Sequence, residues 1–94
     1  MRISVLAQSR QQVKLKLEGW VSGEDVALLE REGGSWLQKA ESLVVDMEEV
    51  RFIDGRGIAL LERWTKEGVM LQGCSLFIRE LLKTHGLGQE PNGH

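Results

Sequence analysis

Residues 43–47 read LVVDM, a short run that is apolar apart from Asp46 and rich in β-branched side chains. Such a run has the character of a central strand covered on both faces, and a strand of that kind needs pairing neighbours and amphipathic segments packed over it. The flanking sequence supplies both. Upstream, Val13, Leu15 and Leu17 alternate with Lys14, Lys16 and Glu18, the period of two expected of a strand with one buried face. Ile3 to Leu6 can form a shorter strand, and the polar turn from Ser9 to Gln12 would fold the two into an antiparallel hairpin. Between the hairpin and Leu43, the residues Val26, Leu29, Gly33, Trp36, Leu37 and Ala40 recur at helical spacing, which predicts a helix from about Glu24 to Ala40 with Ser22 placed to cap it. Gly33 and Gly34 each weaken that helix by about 1 kcal/mol relative to alanine. Either a close approach to the sheet or a break into two helices would account for them, and one interrupted helix is the preferred reading.

Downstream, EEVRFID (Glu48 to Asp54) is expected to carry the chain as a connection to a second helix. That helix places Ile58, Leu61 and Trp64 on one face and Glu62, Arg63 and Lys66 on the other, and Gly68 ends it. VMLQGC (Val69 to Cys74) reads as another buried strand, and Ser75 can cap a third helix carrying Phe77, Ile78, Leu81 and Leu82. His85, Gly86 and Leu87 have the form of a Schellman ending, with the imidazole meeting the last carbonyls. The order β, β, α, β, α, β, α implies right-handed crossovers and a mixed four-stranded sheet with an antiparallel hairpin at one side. The fold class is α/β, a single domain over residues 1–87, and residues 88–94 are expected to form a mobile tail with little to bury.

Composition narrows the function classes. A chain of 94 residues that is 41% hydrophobic and 28% charged reads as one soluble globular unit. A net charge of −2 without a basic stripe speaks against nucleic-acid binding through phosphate neutralisation. The single Cys74 excludes an intramolecular disulfide framework or a CxxC metal knuckle and reads as a small core or turn residue. No apolar stretch approaches the roughly 20 residues of a membrane span. The opening MRISVLAQSRQQ lacks a secretory pattern, so a cytoplasmic setting without membrane insertion is expected. Asp46, Glu48 and Glu49 read as solvated charges, and no nucleophile–base pair or ligand spacing is visible. No catalytic residue, metal or cofactor is therefore expected.

The stretch FIDGRGIALLERW, Phe52 to Trp64, concentrates turn chemistry where a strand-like segment meets a helix. Asp54 can accept from the backbone N–H of Arg56 or Gly57 and cap that helix. Gly55 permits an unusual backbone angle, and Gly57 lets the first turn approach another surface. Arg56 is unexplained by this architecture, because a cation at a helix N-terminus opposes the dipole. The two glycines resemble an anion nest, but no Lys-Ser or Lys-Thr pair follows and a Walker motif is excluded. Trp36 and Trp64 belong to apolar helical faces, whereas Trp20 is expected in a loop after the second strand, where an aromatic can anchor a partner.

VVDMEEVRFIDGRGIALLERW (Val44 to Trp64) resembles the central motif of STAS domains, the family of bacterial anti-sigma factor antagonists. GVMLQGCSLFIRELLKTHGL (Gly68 to Leu87) and VKLKLEGWVSGEDVALLE (Val13 to Glu30) resemble other parts of that family, so the likeness spans most of the chain. The resemblance implies four strands in a mixed sheet and three helices mostly on one face. In the family's D-S-S-G turn, Asp54 falls on the aspartate, Gly57 on the glycine, and Gly55 and Arg56 on the two hydroxyl positions. The second of these is the family's usual phosphorylation site. GWVS (Gly19 to Ser22) stands where many members read G-E-L-D, in a loop that usually faces the partner. The resemblance therefore implies a non-catalytic interaction module that is not switched by phosphorylation at that position. Its partner surface would comprise Trp20, Ser22, Asp54, Gly55, Arg56 and Gly57, and its partner would be a kinase-type anti-sigma factor. The alternative is the STAS subunit that docks on the ATPase of a phospholipid-transporting ABC system, with which the GIALL run (Gly57 to Leu61) is compatible. An enzyme or binder acting on phosphorylated small molecules is the alternative of a different class.

Overall fold

The structure is a computed structural model that describes residues 1–84; the expected helix ending at residues 85–87 and the tail at 88–94 lie outside the described residues. In chain order the elements are β1 (Arg2–Gln8), β2 (Gln12–Val21), α1 (Glu24–Lys39), β3 (Ser42–Ile53), α2 (Gly55–Lys66), β4 (Met70–Gln72) and α3 (Leu76–Thr84). The strands lie in the order β1-β2-β3-β4, with β1 antiparallel to β2 and both later pairs parallel. Each parallel pair is joined through a helix, because parallel neighbours cannot be connected by a tight turn. The mixed sheet, the hairpin at one side and the three helices are those expected.

One face of the sheet forms the core. Val13, Leu15, Leu17 and Val21 of β2 and Leu43, Val45 and Met47 of β3 are buried in one cluster with Leu29 of α1, Ile58, Leu61 and Trp64 of α2, and Ile78 and Leu82 of α3. By strand alternation the opposite face carries Lys14, Lys16 and Trp20 of β2 and Val44, Asp46 and Phe52 of β3. Val44 is buried there too, in keeping with a central strand.

β3 is twice as long as the LVVDM run suggests: the segment expected as a connection, Glu48 to Ile53, continues the strand. Its pattern hides this because β3 carries an extra residue at two places relative to β2. Lys16 pairs with Asp46 but Glu18 with Glu49, and Gly19 pairs with Val50 but Trp20 with Phe52. The buried side chains Met47, Val50 and Ile53 therefore recur every third residue rather than every second. At the first irregularity the Glu48 N–H donates to Asp46 Oδ1 at 2.9 Å, which supplies a partner for an N–H displaced from the ladder. β2 likewise runs on to Val21, so Trp20 is a strand residue and not a loop residue.

Three further local readings change. Ser22 does not cap α1: the N-cap is Gly23, at φ 59°, and no side chain caps that end from within its own segment. The helix α1 is continuous through Gly33 and Gly34. Gly33 is required by a close approach to α2 rather than to the sheet, because a Cβ there would collide with the buried Trp64 ring, whereas Gly34 faces open space. Finally, β4 has three residues and is the last strand of the sheet, so Met70 is 57% exposed rather than buried. In α3, Ser75 Oγ accepts from the Ile78 N–H at 3.2 Å as expected, and Ile78 and Leu82 face the core while Phe77 is exposed. Trp64 is buried as expected; Trp36 is half-buried, with the Lys39 ammonium 5.2 Å from its ring centre.

The two adjacent glycines should respond oppositely to alanine. Gly33→Ala forces a methyl group against a rigid buried indole and should destabilise the fold by about 1–3 kcal/mol. Gly34→Ala adds helix propensity in open space and should stabilise it by up to about 1 kcal/mol. Urea denaturation midpoints of the two variants check both signs.

Candidate functional site

The parallel neighbours β2 and β3 end side by side, Val21 opposite Ile53, and each runs directly into a helix. In open sheets with parallel strands, binding sites gather outside such carboxyl ends. Here that end is tied together through one residue. The Asp54 N–H donates to the Val21 carbonyl at 3.0 Å, which continues the strand pairing past Ile53. Asp54 Oδ1 accepts from the Gly57 N–H at 2.9 Å and so caps α2 as expected. Asp54 Oδ2 accepts from the Gly23 N–H, also at 2.9 Å, and so reaches the start of α1.

Gly57 is buried beneath this turn. A Cβ there would lie 2.6 Å from Ile53 Cγ2 and 3.1 Å from the Val21 carbonyl oxygen, so only glycine lets the first turn of α2 settle on the strand ends. Gly55 differs from the expectation: it has no positive φ and nothing within 4 Å, so the backbone does not demand glycine there. Arg56 is exposed between the two glycines and takes part in no ion pair among the described residues. Burial pushes the Asp54 carboxyl upward, but the N–H groups of Gly23 and Gly57 and the nearby Arg56 charge outweigh it. The net position lies below the ordinary aspartate value.

Trp20 lies near this end of the sheet, on the face away from the helices. Its indole is 61% exposed and its ring centre lies 5.2 Å from that of Phe52, tilted by 45°. Phe52 was not among the residues singled out from sequence. Its only signal is its position two residues before Asp54, and the strand irregularity at Arg51 disguises the alternation that would place it beside Trp20. Ser22 is half-buried and contributes its carbonyl, which accepts from the Asp25 N–H at 3.1 Å. The fold thus gathers Trp20, Ser22 and Asp54 to Gly57 at one end of the sheet. Among the described residues no group of three His, Cys, Asp or Glu side chains could hold a metal ion, and no helix is long and apolar enough to cross a membrane.

A mixed sheet of this order, with an aspartate-capped helix rising from its third strand, is the architecture of a STAS domain. Residues 4–89 match the family described as Mlab, STAS domain, and the chain belongs to it. Two solved structures share the fold. The anti-sigma factor antagonist SpoIIAA in its unphosphorylated form superposes with a TM-score of 0.69 at 16% identity, covering 87% of this chain and 82% of that one. The Bacillus cell fate determinant SpoIIAA in the phosphorylated form superposes with a TM-score of 0.71 at 18% identity, covering 93% and 86%. No curated protein matches the chain.

The charge on Asp54 makes stability depend on pH in a defined direction. A carboxyl whose folded pKa is depressed contributes stability above its unfolded value, near 3.9, and loses it as pH falls through the folded value. Asp54→Ala should cost about 1 kcal/mol or more at pH 7 through the lost cap. The gap to the parent should narrow below about pH 3.9, which urea titrations at neutral and acid pH measure.

Proposed function

We propose that the chain is a non-catalytic, cytoplasmic protein-interaction module. It docks on its partner through Trp20, Ser22 and the turn from Asp54 to Gly57, and it is not switched by phosphorylation at the start of α2. Arg56 carries this reading. It is exposed in the first turn of α2, at the position where the resembled family bears its phosphorylated hydroxyl. A guanidinium cannot be phosphorylated by a serine kinase, and it presents a permanent fork for a carboxylate or phosphate on a partner. The likeness to an anti-sigma factor antagonist supports a signalling partner of the kinase-type anti-sigma class.

The same observation favours a second reading, the STAS subunit docked on the ATPase of a phospholipid-transporting ABC system. A subunit that stays bound needs no phosphate switch, and a fixed cation suits a constitutive contact. An enzyme or binder acting on phosphorylated small molecules has less support. The Gly57 and Gly23 N–H groups that would cradle a phosphate already donate to Asp54, whose negative charge would repel one.

Affinity capture from the native cytoplasm separates the first two readings by recovering an anti-sigma factor or an ABC ATPase. With that partner purified, Arg56→Ala should leave folding stability within about 0.5 kcal/mol of the parent. It should weaken the complex by about 2 kcal/mol or more, which calorimetry reads directly. Trp20→Ala should weaken binding in the same direction, because a large exposed aromatic is a favoured anchor. Unchanged affinity for Arg56→Ala would make Arg56 a solvated helix-start residue and sink the reading.

A further inference from the structure

The two oxygens of one carboxylate hold two helix starts that are 31 residues apart in sequence. We infer that Asp54 is a strut between them, so that a change at the α2 turn is carried to Gly23 and the start of α1. Within that turn Asp54 then also acts as a positioning residue. Its consequence for binding rests on the docking-surface reading above; the strut itself does not.

Three observations carry this. Oδ1 and Oδ2 accept from the Gly57 and Gly23 N–H groups, each at 2.9 Å, and a carboxylate is planar and rigid, so a rotation that improves one bond spoils the other. The start of α1 has no side-chain cap from its own segment; the Met1 ammonium lies 3.4 Å from Asp25 Oδ2 in its first turn, and Asp54 supplies the acceptor for the Gly23 N–H itself. Trp20 is held separately, paired with Phe52 across the strands and with its ring against the Phe52 ring, so the strut acts on the helix start and not on the indole. The backbone bond from the Asp54 N–H to the Val21 carbonyl lies outside the side chain and survives its replacement, so the strand ends stay paired while the strut is removed.

Amide hydrogen exchange on the full chain, read by NMR, tests the strut without a partner, so it can fail independently of the docking reading. Asp54→Ala offers no acceptor to either helix start, and exchange at Gly23 and at Gly57 should both speed by about tenfold or more, the size of a lost charge-assisted hydrogen bond. Asp54→Asn, the milder variant, keeps one acceptor oxygen and should deprotect one of the two amides while the other stays protected. Coupling is read by placing Arg56→Glu in each background. In the parent it should shift the Gly23 amide resonance and leave the Trp20 indole in place, and in Asp54→Ala the Gly23 shift should collapse. Unchanged Gly23 exchange in Asp54→Ala, or Gly23 shifts that persist there, would show that the two helix starts are independent and overturn the strut.

Discussion

The carboxylate of Asp54 is the constraint on which the carboxyl end of the parallel strands depends. Two parallel strands end side by side and must each release a helix, and the N-terminus of each helix leaves backbone N–H groups without partners inside it. A single ionised side chain satisfies one N–H at each start, at 2.9 Å in both cases. Hydrogen bonds to a charged acceptor contribute about 1.5–3 kcal/mol, more than neutral ones. The arrangement works only because Gly57 has no side chain: any Cβ would run into Ile53 and the Val21 carbonyl and lift α2 off the strand ends.

With that end secured, the rest of the fold decides what the surface presents. The two irregularities in β3 let the strand keep Met47, Val50 and Ile53 in the core while turning Phe52 to the outer face beneath Trp20. On the opposite side, α1 and α2 pack closely enough for Gly33 to abut the Trp64 ring. Glu30 and Arg63 also bridge these helices, but both are about half exposed, so the pair adds little beside the packing. The helices packed on one face leave Trp20 exposed on the other and Arg56 exposed at the start of α2.

Arg56 gives the first turn of α2 a fixed charge. A phosphate that comes and goes makes binding conditional on a kinase and a phosphatase. A guanidinium is charged at every physiological pH, so the positive charge at this turn is permanent. The cation opposes the helix dipole but has the Asp54 carboxylate nearby, whose titration it lowers.

Much of this was legible in the sequence. The period-two run from Val13 to Leu17, the apolar stretch at Leu43 and the helical spacing of Ile58, Leu61 and Trp64 specify which faces are buried, because burial selects side chains one by one along a regular element. The cap at Asp54 and the need for glycine at position 57 were also readable, since both are local to a single turn. What required the third dimension is everything that joins segments distant in the chain. The continuation of β3 past Met47 depends on pairing with β2, and extra residues in the ladder erase the periodicity that would reveal it. Gly33 reads as a weakness in a helix until Trp64 is set against it. The second half of the Asp54 interaction, the bond to Gly23, has no signature in either segment, because a backbone N–H is common to every residue but proline and only the folded chain determines which one a carboxylate meets.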